Sequence, residues 1–247
     1  MSAVGLWPEG CFKGRRVLVV GGTSGIGAGI ARGFMTEGAH VIVTGATARE
    51  AEAARSTLDG AEIFALDVRD AETVQRAIER LETLDHLVYA AGIIRRGEEH
   101  DPQVFDMVVD INLHGAMRAA AAARPILTRG AGTILNVASM LSFFGGALVP
   151  GYSASKGGIA QLTKSLALAY AADGLRVNAV APGWIATPLT QALREDPARS
   201  EAILSRTALR RWGEPQDIAG AAVFLASPLA AFITGVVLPV DGGYLVG

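Results

Sequence analysis

The amino-acid sequence predicts an α/β protein in which one doubly wound parallel sheet of about seven strands carries helices on both faces. Short runs of apolar, β-branched residues alternate with longer alanine-rich segments along the 247 residues. Most of these runs are apolar throughout, which is typical of strands covered on both faces. Helical connections of this length favour right-handed crossovers between parallel strands. No linker composition or internal repeat interrupts the pattern, so we expect one domain over residues 1–247.

The individual elements follow from the apolar patterns and from the turn residues between them. The predicted strands are Arg16–Val20, His40–Thr44, Glu62–Leu66, His86–Ala90, Thr133–Val137, Arg176–Val180 and Val236–Pro239. The predicted helices are Gly25–Glu37, Arg49–Leu58, Ala71–Leu81, Val104–Leu127, Gly151–Ala171 and Pro215–Ala226.

The composition excludes several classes of protein. There are 22 basic and 24 acidic side chains, for a net charge of −2, so no excess of charge attracts nucleic acid or anionic lipid. The single cysteine, Cys11, cannot form an internal disulfide, and the four histidines have no metal-ligand spacing. The segment Met1–Gly14 has no apolar run and is not a signal peptide. We expect a soluble cytoplasmic protein with a small-molecule substrate, no metal, no nucleic-acid partner and no membrane attachment.

One uncharged stretch, Ile218–Val240, is long enough to span a bilayer. Ser227-Pro228 inside it is typical of a helix stop followed by a turn. We therefore predict a buried helix at Ile218–Ala226, a turn and a buried strand at Gly235–Pro239 instead of a membrane span.

The segment from residue 182 to residue 213 departs from the alternation of strands and helices. It contains several prolines and a predicted charged helix around Thr187–Leu204. It follows the carboxyl end of the sixth strand, where open α/β sheets bind ligands. We interpret it as a flap over a binding site, with an ordinary surface excursion as the alternative.

A glycine-rich turn follows the first predicted strand and leads into the first predicted helix. Its sequence is Gly21-Gly22-Thr23-Ser24-Gly25-Ile26-Gly27. Gly21 allows a tight turn, Gly25 lets the backbone approach a phosphate, and Gly27 lets helix and strand pack closely. Unpaired N–H groups of the first helical turn would then face a pyrophosphate. The turn indicates a dinucleotide site, although glycine-rich turns also occur where a chain merely reverses.

The end of the second strand bears on the choice between NAD and NADP. Folds that prefer NAD usually place an acid there to hold the ribose 2′-hydroxyl. Here the sequence is Val43-Thr44-Gly45-Ala46-Thr47, with no acid before Glu50. We expect nothing there to repel a 2′-phosphate, and Thr44, Thr47 or Arg49 could bind one. The cofactor prediction is NADP(H) or NAD(H), with NADP(H) favoured; a loose choice is the alternative.

A tyrosine and a lysine lie four residues apart at the start of a long predicted helix, in Tyr152-Ser153-Ala154-Ser155-Lys156. Residues at this spacing share a helical face. An ammonium beside a phenol favours the phenolate, and a pKa lowered by about 2–3 units would bring it near neutral pH. The pair is thus a candidate for general acid–base transfer, with a surface pair as the alternative.

Two further polar residues fit the same site. Ser139 follows the strand Thr133–Val137, so its hydroxyl would lie at the carboxyl edge of the sheet, where it could hold a substrate carbonyl. Asn112 lies inside a predicted helix, where its side chain competes for backbone groups. It suggests a bound water or a helix kink, with a purely structural role equally open.

Because these motifs occur in this order, the sequence resembles the short-chain dehydrogenase/reductase family over essentially its whole length. The resemblance implies a Rossmann-type sheet. The motifs that carry the resemblance are the glycine turn, Asp67-Val68, Gly92, Asn112, Ser139, Tyr152 with Lys156, Arg176-Val177-Asn178, Pro182-Gly183 and Asp241-Gly242-Gly243.

The resemblance implies a role for each matching residue. Tyr152 would be the general acid and base, and Ser139 would orient the substrate oxygen. Lys156 would lower the pKa of the tyrosine and hold the nicotinamide ribose, while Asn112 would anchor a water in a proton relay. The expected cofactor contacts, which include adenine at Asp67 and the nicotinamide amide at Thr187, are Gly21, Thr23, Ser24, Gly25, Ile26, Gly27, Thr44, Asp67, Val68, Ala91, Gly92, Tyr152, Lys156, Pro182, Gly183, Ile185 and Thr187.

Two positions depart from the family pattern. Val20 stands where many members have threonine, and Tyr89-Ala90-Ala91-Gly92 stands where the family usually has Asn-Asn-Ala-Gly. Side-chain hydrogen bonds expected beside the cofactor are therefore missing, but neither change affects the acid–base set.

The substrate is suggested by stretches that resemble the branch of the family acting on keto-sugar acids, which includes gluconate and 2-dehydro-3-deoxy-gluconate dehydrogenases. Arginine suits bidentate recognition of a carboxylate. The candidate arginines are Arg95, Arg96, Arg194 and Arg211, with solvated or interface charges as the alternative. The candidate substrate contacts are Ile94, Arg95, Phe143 and Trp184; the aromatic residues among them would equally suit an apolar ketone.

The predicted function is interconversion of a secondary alcohol and a ketone by hydride transfer. Three other functions stay open: a 3-oxoacyl-thioester reductase, a general carbonyl reductase and a non-enzymatic cofactor-binding sensor. An intact acid–base set argues against the sensor. The family resemblance also implies a homotetramer, and the alanine-rich run Ala116–Ala123 is compatible with helix packing between subunits.

Overall fold

The structure is a computed structural model, and it describes residues 10–247. These residues are built on one sheet. Its strands are β1 (Arg16–Val20), β2 (His40–Gly45), β3 (Glu62–Ala65), β4 (His86–Tyr89), β5 (Thr133–Val137), β6 (Arg176–Pro182) and β7 (Val237–Val240). They are parallel and lie in the order β3-β2-β1-β4-β5-β6-β7. The predicted fold class is confirmed.

Helices connect the strands and cover both faces of the sheet. They are α1 (Gly25–Thr36), α2 (Ala48–Arg55), α3 (Ala71–Glu79), α4 (Pro102–Val109), α5 (Gly115–Leu127), α6 (Pro150–Tyr170), α7 (Gln191–Arg194), α8 (Pro197–Arg206) and α9 (Pro215–Ala226). The bounds of α1, α2, α3, α6 and α9 agree with the predictions within three residues.

Two predicted helices are divided. The stretch predicted as one helix over Val104–Leu127 is α4 and α5, joined by a π-helical segment at Asp110–His114. The charged helix predicted around Thr187–Leu204 is the separate pair α7 and α8. Pro197 begins α8, where its missing N–H interrupts no helical hydrogen bond.

The apolar strands contribute to two cores, one on each face of the sheet. Val17 and Val19 of β1 pack into the core beneath α1 and α9, while Leu18 and Val20 pack into the core beneath α3, α5 and α6. Each of these four side chains is at most 1% exposed. Because successive strand residues point to opposite faces, burial on both faces requires an uninterrupted apolar run.

The uncharged stretch Ile218–Val240 folds as predicted, into the end of α9, a turn and β7. The guanidinium of Arg176 donates to the carbonyl oxygens of Leu225 and Ala226 at 2.7 and 3.2 Å, which satisfies the end of α9. Across residues 10–247, every helix is too short or too polar to cross a membrane.

The strand order places a crevice above β1. Strand β1 lies between β2 and β4, so the direction in which the chain adds strands reverses beside it. In open α/β sheets, such a switch point leaves a crevice at the carboxyl ends of the strands. The glycine turn follows β1 at that edge, and the loops after β4, β5 and β6 meet it there.

Candidate active site

The glycine turn has the close backbone contacts that its spacing predicts. Gly21 has a φ of +77°, and a Cβ there would lie 2.4 Å from the Cα of Ala91. A Cβ on Gly27 would lie 2.2 Å from the carbonyl oxygen of Gly21. No side chain fits at either position, so the turn packs directly against the loop after β4.

The first turn of α1 fits an anion such as a pyrophosphate. Ser24 is the N-cap residue, yet its hydroxyl makes no hydrogen bond to the N–H groups of the helix. These groups therefore remain available beside the positive end of the helix dipole. A Cβ on Gly25 would lie 3.4 Å from the side chain of Thr187, so the segment after β6 faces this turn at close range.

Thr44 does not offer its side chain to a cofactor, contrary to the prediction. Thr44 is fully buried, and its Oγ1 has no hydrogen-bond partner among the described residues. Its carbonyl oxygen instead accepts the N–H groups of Gly21 and Gly22, both at 3.0 Å. Thr44 thus holds the glycine turn by its backbone, because β2 turns this side chain into the core.

A carboxylate lies at the end of β2, where none was expected. Glu50 reaches back along the first turn of α2, and its Oε2 accepts the N–H of Ala46 at 2.8 Å. Thr47, the N-cap residue, accepts the N–H of Glu50 at 3.2 Å. The expectation that nothing near Ala46 would repel a 2′-phosphate is therefore wrong. The negative charge belongs to Glu50, one helical turn further along the chain.

The predicted adenine contact, Asp67, lies in an ion pair at the surface. Its carboxylate accepts from the guanidinium of Arg69, with the shortest distance 2.6 Å. This hydrogen bond lowers the pKa of Asp67. The neighbouring Val68 is buried and packs close to Gly115. An adenine amine would have to share the Asp67 carboxylate with Arg69.

Asn112 lies in the π-helical segment, which interrupts the long helix predicted there. The side chain is fully buried: its Oδ1 accepts the N–H of Ile93 at 2.8 Å, and its Nδ2 donates to the carbonyl of Ile93 at 3.0 Å and to Ser155 Oγ at 3.1 Å. A π-helical turn frees backbone groups from the helical ladder. Tyr89 donates its hydroxyl to one of them, the carbonyl of Ile111.

At this position, where the family usually has asparagine, the hydroxyl of Tyr89 makes a hydrogen bond to the π-helical segment. Tyr89 is 2% exposed, and a Cβ on Gly115 would collide with its oxygen. Burial raises the pKa of this phenol strongly, so it remains a donor. Tyr89 thus contacts the π-helical segment that carries Asn112.

Ser139 caps a short 3-10 turn directly after β5. Its Oγ accepts the N–H of Leu141 at 3.2 Å, which leaves the hydroxyl hydrogen free to donate. Ser142 of the same turn donates its hydroxyl to the carbonyl of Lys156 at 2.6 Å, which fastens the turn to α6. Because of this fastening, the Ser139 hydroxyl faces the phenol of Tyr152.

Lys156 lies beneath the tyrosine on α6. It is 5% exposed, and its Nζ donates to the carbonyl of Val137 at 2.6 Å. The same Nζ lies 5.5 Å from the centre of the Tyr152 ring. A Cβ on Gly92 would lie 3.7 Å from this Nζ and 3.3 Å from Asn112 Oδ1. The structure thus brings Asn112, Ser139, Tyr152 and Lys156 to one end of the crevice.

The pKa of the tyrosine differs from the prediction. Burial raises the pKa of Tyr152 above its ordinary value, and the nearby Ser139 hydroxyl lowers it by less. Burial also lowers the pKa of Lys156 to about 8. The prediction of a phenol made acidic by Lys156 is wrong for this structure, because both charged forms lose hydration in the crevice.

Glu99 is a member of the site that the motifs do not identify. It is 1% exposed, and its Oε2 accepts the N–H of Tyr152 at 2.7 Å. In the sequence it lies in a polar run, Gly97-Glu98-Glu99-His100-Asp101, with nothing to mark it as buried. Only the packing of the loop after β4 against α6 reveals it.

The segment after β6 forms one wall of the crevice. Pro182 ends β6 and Gly183 follows it. The rings of Trp184 and Trp212 meet edge to face at 6.0 Å. The indole Nε1 of Trp184 is buried without a partner among the described residues. Behind Trp212, a cleft of about 630 Å³ is lined by Ala186, Thr187, Pro188, Gln191, Arg194, Glu195, Ser200 and Trp212.

The candidate substrate residues differ in whether their side chains are exposed and whether they are already paired. Arg211 makes a two-pronged ion pair with Asp217, at 2.6 and 2.8 Å, so its guanidinium is already occupied. Arg194 lines the cleft beside Thr187. Arg95 and Phe143 are exposed, and Ile94 and Trp184 are half-buried. Across residues 10–247, no group of three acidic, histidine or cysteine side chains is arranged to hold a metal ion.

The fold and the site define a class of protein, the dinucleotide-binding oxidoreductases with a parallel sheet. Comparison with known proteins identifies the family. A family model described as enoyl-(acyl carrier protein) reductase matches residues 20–245. The chain belongs to the short-chain dehydrogenase/reductase family, whose members are oxidoreductases that use NAD(P).

Relatives of known name agree with this family. The chain is 42% identical to the 2-dehydro-3-deoxy-D-gluconate 5-dehydrogenase of Bacillus subtilis, over 95% of this chain and 96% of that one. It is 41% identical to the galactitol 2-dehydrogenase (L-tagatose-forming) of Cereibacter sphaeroides, with the same coverage of both chains. A gluconate 5-dehydrogenase of Burkholderia cenocepacia, solved with NADP and tartrate, has a TM-score of 0.89 at 32% identity and covers 97% of this chain and 98% of its own.

Proposed function

We propose that this protein interconverts a secondary alcohol and a ketone on a sugar acid or a related hydroxy compound, with NAD(P)(H) as cofactor. The observation that carries the proposal is the convergence of Ser139, Tyr152 and Lys156 beside the glycine turn. When bound, the nicotinamide supplies or accepts the hydride. The remaining chemistry is one proton transfer and the orientation of one oxygen, which are tasks for these side chains.

The cofactor would be held at both ends of the crevice. The N–H groups at the start of α1 would bind its pyrophosphate, and Ala91, Gly92, Thr187 and Lys156 would hold the nicotinamide half. NADP(H) is the form we favour, because NADP is present in the solved gluconate 5-dehydrogenase. For a 2′-phosphate to bind beside Ala46, the carboxylate of Glu50 would have to leave the Ala46 N–H.

Tyr152 would donate the proton in ketone reduction and accept it in alcohol oxidation. Since burial raises its pKa, the phenol carries its proton at neutral pH, which suits the donor role. Ser139 would hold the substrate oxygen with its free hydroxyl hydrogen. Alcohol oxidation should therefore speed up as the pH rises, because the phenolate must form, and initial rates in both directions check this.

The substrate class is supported by the relatives and by the wall of the crevice. Two of the relatives described above are named for gluconate-type acids, and one for the neutral polyol galactitol. The cleft at Thr187 has polar lining that suits hydroxyl groups, and its Arg194 suits a carboxylate. We propose that residues 182–213 act as a flap over the binding site. The base of this flap is formed by Pro182, Gly183, Trp184 and Ile185.

A second candidate, reduction of a 3-oxoacyl thioester, is favoured by one observation. The matching family model is described as enoyl-(acyl carrier protein) reductase; a 3-oxoacyl thioester shares the acyl thioester of that substrate but is reduced at a ketone. A general carbonyl reductase would use the same acid–base set, with Phe143, which is 52% exposed, as an apolar contact.

A substrate panel separates these functions. The purified protein is assayed with NADH and NADPH against keto-sugar acids, neutral ketoses, 3-oxoacyl thioesters and simple ketones. The proposal predicts the largest kcat/KM for a sugar acid. Inactivity on every sugar acid, with activity on a thioester or an apolar ketone, would overturn the substrate class. Tight dinucleotide binding without turnover of any carbonyl would instead support a sensor.

We also propose a homotetramer in the cytoplasm. The tetramer is supported by apolar side chains that the subunit leaves exposed, above all Leu168 on α6 and Phe232 after α9. The cytoplasm is supported by the lone cysteine, Cys11, and cell fractionation tests this location.

A further inference from the structure

A buried carboxylate joins the loop after β4 to the helix that carries Tyr152. Glu99 is 1% exposed, although a buried carboxylate is costly unless it is paired or well hydrogen-bonded. Among the described residues, no lysine, arginine or histidine side chain lies within ion-pair distance of it. Its oxygens accept two backbone N–H groups instead, Oε1 from Arg95 and Oε2 from Tyr152, both at 2.7 Å.

Glu99 takes the place of a helix cap. Tyr152 is the third residue of α6, and its N–H is one of the first-turn groups that have no partner inside the helix. Val149, the N-cap residue, has no side chain that could accept this N–H. The charge of Glu99 is also favourable at the positive end of the α6 dipole. A residue 53 positions away therefore closes the start of α6.

The loop that carries Glu99 is fastened to the same helix entrance at two further points. Gly97 donates its N–H to the carbonyl of Leu148 at 2.8 Å, and His100 Nε2 lies 2.9 Å from the carbonyl of Ala147. Near the start of this loop, Gly92 lies beside Asn112 and Lys156. The position of Tyr152 along the crevice is thus tied to the segment beside those residues.

We propose that Glu99 is a positioning residue for Tyr152, which holds the phenol in register with Ser139 through the backbone N–H of Tyr152. This inference rests on the function proposed above, in which Tyr152 transfers the proton. It goes further in assigning a task to a side chain outside the family's catalytic motifs.

The charge of Glu99 provides a signature that packing alone would not produce. Burial has the largest effect on the pKa of the Tyr152 phenol and raises it; the Ser139 hydroxyl lowers this pKa, and the Glu99 carboxylate raises it by a smaller amount. The ammonium of Lys156 lies 5.5 Å from the ring centre. Removing the negative charge of Glu99 should therefore move the ionisation of the phenol to lower pH.

The test compares Glu99→Gln with Glu98→Gln in the complete enzyme. Glu98 is the adjacent residue and is exposed, so its variant makes the same change of charge without touching α6. In Glu99→Gln an amide NH₂ would face one of two N–H donors, which displaces Tyr152. We expect kcat for an accepted ketone to fall about 10- to 100-fold, with dinucleotide affinity retained. The pH midpoint of kcat should move down, and Glu98→Gln should leave kcat and the midpoint unchanged.

Glu99→Asp separates charge from reach. Aspartate keeps the charge but is one carbon shorter, so it should restore the pH midpoint and only part of kcat. If Glu99→Gln fails to fold, it will lack cooperative unfolding and dinucleotide binding. The aspartate variant then decides the test, because a wild-type kcat in Glu99→Asp would refute the proposal.

Each remaining outcome also has a meaning. A Glu99→Gln enzyme that is less stable but has the wild-type kcat and pH midpoint would show a structural role only and would overturn the inference. If Tyr152→Phe also turned over normally, the proposed function itself would fail. A need for Tyr152 without any need for Glu99 would remove this inference alone.

Discussion

At the scale of single residues, the site works by burying groups that would prefer water. Burial raises the pKa of Tyr152 and lowers the pKa of Lys156 to about 8. A neutral phenol and a weakened ammonium share the crevice, so the proton of Tyr152 is available to a carbonyl at neutral pH. Without substrate, the Ser139 hydroxyl is the group that lowers the pKa of this phenol, by less than burial raises it.

Glu50 should control the preference between the two nicotinamide cofactors. Its carboxylate accepts the Ala46 N–H at the end of β2, where we propose that a 2′-phosphate would bind. We expect Glu50→Gln to raise kcat/KM for NADPH relative to NADH about tenfold, which corresponds to about 1.4 kcal/mol. Steady-state kinetics with both cofactors measure this ratio. Glu52→Gln, on the exposed side of the same helix, is the control, and an unchanged ratio in Glu50→Gln would refute the assignment.

The sequence motifs predict which residues meet in the crevice, but not every contact between them. The spacing of Tyr152 and Lys156 places both on one helical face, and the strand before Ser139 places its hydroxyl at the same edge. Glu50 had a usable signal, because Thr47 and Glu50 have the T-x-x-E spacing of a capping box, in which the acid reaches back to an N–H. Glu99 had none, since its burial depends on two loops that meet only in the folded chain.

At the scale of elements, the strands and the helix starts were predictable, while the strand order and the interruptions inside helices were not. The apolar runs of β1 to β7 and the glycine turn identify the sheet and α1. In the π-helical segment at Asp110–His114, the carbonyl of Ile111 accepts a hydrogen bond from Tyr89 of β4. The helical periodicity of apolar residues in the sequence does not predict that contact.

Strand β4 should make the fold sensitive to acid through His86. The imidazole packs against the rings of Phe12 and Phe34, and burial lowers its pKa from 6.5 to about 4. The unfolded chain therefore binds a proton more readily, so stability should be lost as the pH falls from about 6.5 through about 4. The loss is up to about 3 kcal/mol. Urea unfolding at pH 7 and pH 4.5 measures it.

His86→Gln should flatten this dependence, because glutamine at this buried position does not bind a proton on unfolding. His40→Gln, at an exposed position on β2, should keep the wild-type slope. Equal slopes for the wild type and His86→Gln would show that other groups set the acid sensitivity.

At the scale of the whole molecule, the subunit leaves apolar surface that its own core does not cover. Leu168 on α6 is 83% exposed and Phe232 is fully exposed, while the interior facing the sheet is densely apolar. Such side chains are typical of surfaces that pack against another subunit. Since α6 also carries Tyr152 and Lys156, assembly on this helix would stiffen the element that holds the site.

Leu168→Glu should therefore disrupt the proposed tetramer. A charge in an apolar contact between copies costs more than the same charge in water, so we expect smaller species in sedimentation velocity at micromolar concentration. Leu189→Glu, at an exposed position in the segment after β6, should remain tetrameric. A monomeric wild-type protein, or a tetrameric Leu168→Glu variant, would contradict this surface.

The central claim is that the phenol of Tyr152 transfers the proton that accompanies hydride transfer. Turnover of an accepted ketone by purified Tyr152→Phe, measured beside its affinity for the dinucleotide, tests this most directly. The expected result is a kcat lower by about 100- to 10,000-fold, with cofactor binding unchanged because the glycine turn is intact. Near-normal turnover by this variant would contradict the claim, since phenylalanine has no proton to give.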